Sequence, residues 1–518
     1  MKDGVLIGID AGTSVIKSVA FSTTGEQIAA AAIPNRYQTF PDGGAEQDMA
    51  RTWVDTAATL KELSDKVPNL RDRLIAISVT GQGDGMWLID KAGEPVAPAW
   101  LWLDARSAAI TEAFAQSADY PAHYQRTGTG VNACQMSMQL VWMTRNRPDL
   151  LARATTGFHC KDWLYFKLTG VRATDPSEGN FTFGQYRTRS YAPDVLDVLG
   201  ASDAKSLLPE MVEGTQVAGA LTPEAAALTG LKAGTPITLG YVDVLCTGLG
   251  GGLYDPKGET GCTIVGSTGM HMKIAPSAAH VKLNSELSGY TMCFPVPGMY
   301  AQIQSNMAST LNIDWLLDVG RDVLASQGVE RSRGDLLKGL DERIMQAEPA
   351  RAIYHPYISQ AGERGPVMEP AARAMFTGLE LGMGYADLMR AVFEGLCFAS
   401  RDCYSAMGEI PREVRVTGGA ARSAALRMML ASALKANVRS VQREEAGAAG
   451  AAMMAAVQQK LYPDMDACVA EWVNPLLGAV TVPDPSLTAR YDGAFGIYKE
   501  TRETMRPLWR TMVANRAS

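Results

Sequence analysis

Two stretches of this chain, one at its start and one just past its middle, follow the same plan. VLIGIDAGTSVIKSVAF (residues 5–21) and CTIVGSTGMHMKI (262–274) each run from an apolar segment through a turn of small residues into a second, largely apolar segment. Apolar runs of this length broken by glycine-rich turns predict strand, tight turn, strand. At 518 residues the chain is too long for one ordinary domain. A hairpin that restarts in the second half predicts two similarly built halves facing each other. So short a pattern also recurs by chance, and it needs support from elsewhere. The glycine-dense GYVDVLCTGLGGGL (240–253) marks the division, which is expected at 245/246, giving domains 1–245 and 246–518.

Other segments fit an α/β chain. Further strands are expected at 28–33, 74–79 and 236–242, and helices at 50–63, 139–143, 162–168, 385–407 and 492–513. Ser423 reads as an N-cap, with Leu426, Met429, Leu430, Ala433 and Leu434 following on one helical face and Asn437 as the stop. The alanine- and glycine-rich tract 446–456 reads as a helix with a small-residue face. It is too short to span a bilayer.

Charge and cysteine usage narrow the function classes. A net charge of −7, with both signs mixed along the chain, gives no basic block for nucleic acid and no basic amphipathic segment for a membrane surface. Eight scattered cysteines with no CxxC pair read as free thiols of a reducing compartment. The N-terminus lacks the apolar core of a signal peptide, so a soluble, cytoplasmic protein is expected.

Three turns could carry chemistry. In the first, Gly12, Thr13 and Ser14 follow Asp10 and precede Lys17. Glycine lets a backbone approach a phosphate, hydroxyls add donors, and a carboxylate ending a buried strand suits a metal ion's water ligands. The second is Gly266-Ser267-Thr268-Gly269. The third is Val416-Thr417-Gly418-Gly419-Ala420, where paired glycines after a strand leave room for a flat ring. Taken singly, the first two are equally the residues of surface turns, and the third those of close helix packing.

In this order and spacing, however, the three segments resemble the FGGY carbohydrate kinases. So do Thr80-Gly81-Gln82-Gly83-Asp84-Gly85, Trp102-Leu103-Asp104-Ala105-Arg106, Gly240-Tyr241-Val242-Asp243, and the run from Pro356 through Gly362-Glu363-Arg364 to Gly378. The resemblance covers essentially the whole chain. It implies a duplicated actin-like (ribonuclease H-like) α/β fold, with ATP and a small sugar or polyol meeting in a cleft between two domains. It implies Asp10 and Asp243 at Mg²⁺, and Asp243 as the base that takes the acceptor's hydroxyl proton. Gly12, Thr13, Ser14 and Lys17 are implied at one set of phosphates, Gly266 and Ser267 at the other, and Gly418, Gly419 and Ala420 at adenosine. Relatives of this kind form dimers or tetramers.

The acceptor site is less legible. Glycerol kinases carry Arg-Glu, and xylulokinases Met-His, where this chain has Gly83-Asp84. A carboxylate at Asp84 can bridge two hydroxyls, although an aspartate between glycines also suits a plain turn. Gln82, Trp102, Asp104, Gln135 and Asp162 are the remaining candidate contacts. Asp104 and Arg106 are also the residues of a structural ion pair, and Trp102 equally suits a structural role. His159 is expected to be a satisfied core histidine. Whole stretches, among them TGQGDGMWLID and HCKDWLYFKLTGVRATDPSEG, resemble the branch of the family that converts erythritol to erythritol 4-phosphate. Pentulose or pentitol phosphorylation is the alternative within the family. An actin-like ATP-binding regulator is the alternative outside it.

Overall fold

The computed structural model describes residues 3–517. Its frame is two six-stranded sheets of matching design. In the first, Val5–Ala11 pairs antiparallel with Val15–Ser22, which pairs antiparallel with Gln27–Pro34. On its other side Val5–Ala11 runs parallel to Leu74–Gly81, and that strand runs parallel to Pro236–Leu239. The second sheet repeats the scheme. Thr260–Val265 pairs antiparallel with Gly269–Ala275, which pairs antiparallel with Tyr300–Asn306. Thr260–Val265 is parallel to Glu413–Thr417, and that strand to Asn437–Ser440. The two sequence hairpins are therefore the equivalent opening elements of a duplicated architecture.

The parallel strands explain where a site must form. Residues 5–11 are buried along the whole strand except at Asp10, which is half-buried at its carboxyl end. Asp10 stands opposite Thr80 in register, and Leu239 opposite Val79. Three parallel strands thus end together and deliver Asp10, the 82–84 turn and Asp243 to one edge. In open α/β sheets the carboxyl edge is where ligands bind, because loops and helix starts converge there.

Local signals behave as their chemistry requires. Asp48 caps Met49–Lys66 by accepting the Arg51 N–H. Ser423 caps Ala424–Leu434 through the Leu426 N–H. That helix ends at Lys435 in the left-handed region, two residues before Asn437, which opens a strand instead of stopping a helix. The strand expected over 236–242 stops at Leu239, because residues 240–242 turn away into the helix Asp243–Gly250. The last helix starts at Pro485, earlier than the pattern predicts, and reaches Ala517.

The alanine-rich tract is the helix Ala446–Gln458, and residues 446–456 are all buried. Although late in the chain, it packs on the first sheet and along Asp243–Gly250. The contact is backbone to backbone: a Cβ on Gly450 would run into the Cys246 carbonyl oxygen, and one on Gly250 into that of Ala446. The expected 245/246 division falls inside the helix Asp243–Gly250. Among the described residues no helix is long and apolar enough to cross a membrane.

Candidate active site

Asp243 opens its helix because the preceding turn is tied down on three sides. The Gly240 N–H donates to the Val79 carbonyl at 2.8 Å, Thr80 Oγ1 donates to the Tyr241 carbonyl at 2.5 Å, and the Val242 N–H donates to Ser177 Oγ at 3.0 Å. The carboxylate so placed sits among other acids. Burial pushes its pKa well up, and the charges of Asp10, Glu178 and Asp84 push it further. A carboxylate crowded in this way readily takes a proton, which is what a general base must do.

Asp10 is raised to about 6 by burial, against the pull of Lys17 and with a push from Glu445. Its Oδ2 lies against Gly447, at the start of the helix Ala446–Gln458. Two hard oxygen donors, Asp10 and Asp243, fit Mg²⁺, which takes one or two carboxylates and leaves its other positions to water and phosphate oxygens. No larger protein cage is needed, and among the described residues there is no cluster of three or more candidate ligands.

The folded state holds the Asp10 proton to higher pH than the unfolded chain, whose carboxyl titrates near 3.8. This group's contribution to stability is therefore greatest at low pH and falls as pH rises from 3.8 through about 6. Burial raises Asp84, Glu178 and Asp243 in the same sense. The free protein is expected to melt at a higher temperature at roughly pH 5 than at roughly pH 7. Asp10→Asn should flatten that slope; an unchanged slope in the variant would remove Asp10 from the acid cluster.

The phosphate-loop candidates occupy three turns. Trp102 Nε1 donates to Thr13 Oγ1 at 2.7 Å, and Thr13 Oγ1 donates to Gln82 Oε1 at 3.0 Å. Gln82 Nε2 continues the chain to Gln47 Oε1 at 2.8 Å. Gln82 and Trp102, expected at the acceptor, thus brace the first loop. Lys17, expected at phosphate, is paired with Glu445 at 2.8 Å and joins the two halves of the chain. Gly266 and Ser267 accept the N–H groups of Thr310 and Ser309 through their carbonyls, and Ser267 is exposed. Gly418 has φ +97° and ends the strand Glu413–Thr417. Beside it, a Cβ on Gly419 would meet nothing within 4 Å, so open space adjoins the adenosine candidates Gly418, Gly419 and Ala420.

Three other expected acceptor contacts have protein partners in the structure. Asp104 is 1% exposed, accepts the Ala45 N–H and pairs with Arg106 at 2.5 Å. Asp162 is fully buried and takes bonds from the His159 N–H, Thr174 Oγ1 and Lys161 Nζ. Those cations and donors hold it down at about 2 in spite of burial, which pushes it up. Gln135 spends its amide on the Asn132 N–H and the Gly130 carbonyl. Their polar types suggest sugar contacts, but tertiary packing supplies protein partners first.

Asp84 differs. It is held at φ +54°, a left-handed conformation costing a non-glycine residue about 1 kcal/mol. Its Oδ2 accepts the Cys134 thiol at 3.5 Å, and its buried Oδ1 has no partner. Beside it lie groups that the sequence does not single out as contacts. Glu178 is 1% exposed and neither carboxylate oxygen has a hydrogen bond. His159 Nε2 stands 3.2 Å from Glu178 Oε2. Arg364, from the second half of the chain, acts electrostatically on Asp84, Cys134 and Tyr290, and its Nε is buried without a partner. Glu178 and Arg364 lie inside family-like stretches, but nothing in their spacing marks them individually. An open groove of about 880 Å³, lined in part by Lys257, Lys282 and Arg412, shares no residue with this cluster. Size alone does not locate the site.

Comparison with known proteins bears on the fold and the family. Residues 5–250 match the FGGY family of carbohydrate kinases, N-terminal domain, and residues 261–459 match its C-terminal domain. The chain is 50% identical over 508 residues to erythritol kinase of Brucella abortus (strain 2308), covering 98% of both chains. It is 27% identical to xylulose kinase of Escherichia coli (strain K12), over 98% of this chain and 99% of that one. The fold superposes on gluconate kinase from Lactobacillus acidophilus with a TM-score of 0.88 at 21% identity, covering 98% of this chain and 99% of the other. With two sheets of one design, three strand ends converging on Asp10 and Asp243, and both halves matched by the corresponding domain descriptions, this chain belongs to the FGGY family of carbohydrate kinases.

Proposed function

We propose that this protein transfers the γ-phosphoryl group of ATP to a terminal hydroxyl of erythritol, giving erythritol 4-phosphate. The observation that carries the choice of acceptor is the 50% identity, over 98% of both chains, to the erythritol kinase of Brucella abortus. Residues 1–245 would supply the acceptor pocket and the first phosphate loop, and residues 246–518 the second loop and the adenosine contact. The work would be done in the cytoplasm by a dimer or tetramer.

In this mechanism Asp243 accepts the proton of the attacking hydroxyl, made receptive by burial and by the acids around it. Gly12, Thr13 and Ser14 donate to one part of the polyphosphate, and Gly266 and Ser267 to another. Gly418, Gly419 and Ala420 receive the adenosine in the open space beside Gly419. Mg²⁺, held by Asp10 and Asp243, would supply neutralising charge to the phosphates. Phosphoryl transfer is chiefly positioning and charge stabilisation, so these groups suffice. Lys17, paired with Glu445, holds the first loop's strand to the helix start beside Asp10.

ADP release should be measured with Mg·ATP and erythritol, threitol, glycerol, xylitol, ribitol, xylulose and ribulose in turn. Erythritol is expected to give the highest kcat/KM. A preference for a five-carbon acceptor would keep the mechanism and overturn the substrate.

A further inference from the structure

The cluster around Asp84 is unusual in what it lacks. Buried carboxylate oxygens are almost always hydrogen-bonded. Here Asp84 Oδ1 and both oxygens of Glu178 accept no hydrogen bond, although Glu178 is 1% exposed, and only Oε2 has a charged neighbour, His159 Nε2. These acids are close together. A Cβ on Gly83, the residue next to Asp84, would run into Val242 Cγ2 and lie 2.6 Å from Glu178 Oε1, so a glycine there lets both side chains close on the turn. The cluster also adjoins the candidate base, because Asp84 and Glu178 both act on Asp243.

We propose that Asp84 Oδ1 and Glu178 Oε1 are paired acceptors for the hydroxyl protons of neighbouring substrate carbons, and that they select a fully reduced polyol over a sugar of the same length carrying a carbonyl. This rests on the assignment of the site above and concerns how it chooses among acceptors. His159 is the positioning residue. Its Nδ1 is 3.2 Å from Asp162 Oδ2 and its Nε2 3.2 Å from Glu178 Oε2, so the ring is anchored behind Glu178. No hydrogen bond reaches Glu178 Oε1, which stays open as an acceptor. Asp84 Oδ2 is occupied by the Cys134 thiol, which leaves Oδ1 to face the substrate.

Discrimination follows from the donor count. A hydroxyl both donates and accepts, so each polyol carbon can give its O–H to an acid and take an N–H such as the free Nε of Arg364. A carbonyl only accepts. Set against Asp84 or Glu178 it opposes lone pair to lone pair and leaves a buried acceptor unpaired.

The test compares erythritol with erythrulose, the ketose of the same length, by kcat/KM in the wild type, Glu178→Gln and Asp84→Asn, with melting curves to establish that each variant is folded. The wild type is expected to favour erythritol at least tenfold. Glu178→Gln can turn an N–H toward the carbonyl, and should shrink that ratio at least fivefold. Asp84→Asn should act in the same direction and stands in if Glu178→Gln does not fold. His159→Leu should weaken the selectivity without reversing it. Equal use of the two acceptors by the wild type, or a wild-type ratio retained in the folded variants, overturns the proposal. If only five-carbon acceptors are phosphorylated, the erythritol assignment falls, and the same ratio is read on ribitol against ribulose.

Discussion

Asp243→Asn is expected to lower kcat by about 10²- to 10⁴-fold, the usual contribution of a positioned base, while leaving ATP affinity within a few-fold of wild type. The substitution keeps shape, removes the ability to take a proton, and leaves a neutral oxygen where the carboxylate would meet Mg²⁺. It should also raise the melting temperature at neutral pH. The native carboxylate is destabilised by burial and by Asp10, Glu178 and Asp84, and an amide carries none of that cost. Loss of turnover together with a gain in stability is the signature of an acid placed for chemistry, since a merely structural aspartate would lose both. Turnover above several per cent of wild type, or a lower melting temperature, would remove Asp243 from the role of base.

Gly450→Ala should produce the second largest effect, with a sign opposite to what helix propensity dictates. Alanine in place of a mid-helix glycine ordinarily stabilises by about 0.5–1 kcal/mol. Here the new methyl would collide with the Cys246 carbonyl oxygen, a backbone atom that cannot swing aside. Forcing the two helices apart should cost about 1–3 kcal/mol or more, a net loss. The helix Asp243–Gly250 begins with the candidate base, so its displacement also moves the carboxylate relative to Asp10. Misplacing a reacting group by about 1 Å can cost 10²-fold, and kcat at a temperature where the variant is folded should fall at least tenfold. Gly493→Ala is the control. It lies in the helix Pro485–Ala517 with nothing within 4 Å of its added Cβ, and should stabilise the protein or leave it unchanged. Thermal melts and steady-state kinetics on both variants decide the matter.

The two predictions draw on different kinds of information. Asp243 is legible in the amino-acid sequence through the resemblance of Gly240-Tyr241-Val242-Asp243 to the family's run. The contact that positions its helix is legible there only as a tract of small residues, a face without a named partner. Nothing in residues 446–456 says that they pack against residues 243–250, about 200 residues earlier.

The same division runs through the rest of the molecule. Strand–turn–strand hairpins, the caps at Asp48 and Ser423, and the glycine turns at residues 12, 266 and 418 are local, set by side chains within a few positions of one another. Neighbours in the chain suffice to define these, while the duplicated fold and the kinase class rest on the resemblance of the segments taken together. The acceptor pocket is a tertiary product. Gln82, Trp102, Asp104, Gln135 and Asp162 are polar residues in suggestive places, and folding engages them with Gln47, Thr13, Arg106, Gly130 and Lys161. Glu178, His159 and Arg364 come from separate segments, and folding leaves polar atoms of all three without a hydrogen bond. Which buried polar group finds a partner depends on three-dimensional neighbours and not on residue type. It takes the packed molecule to separate the acids that hold the scaffold from the acids left free for a substrate.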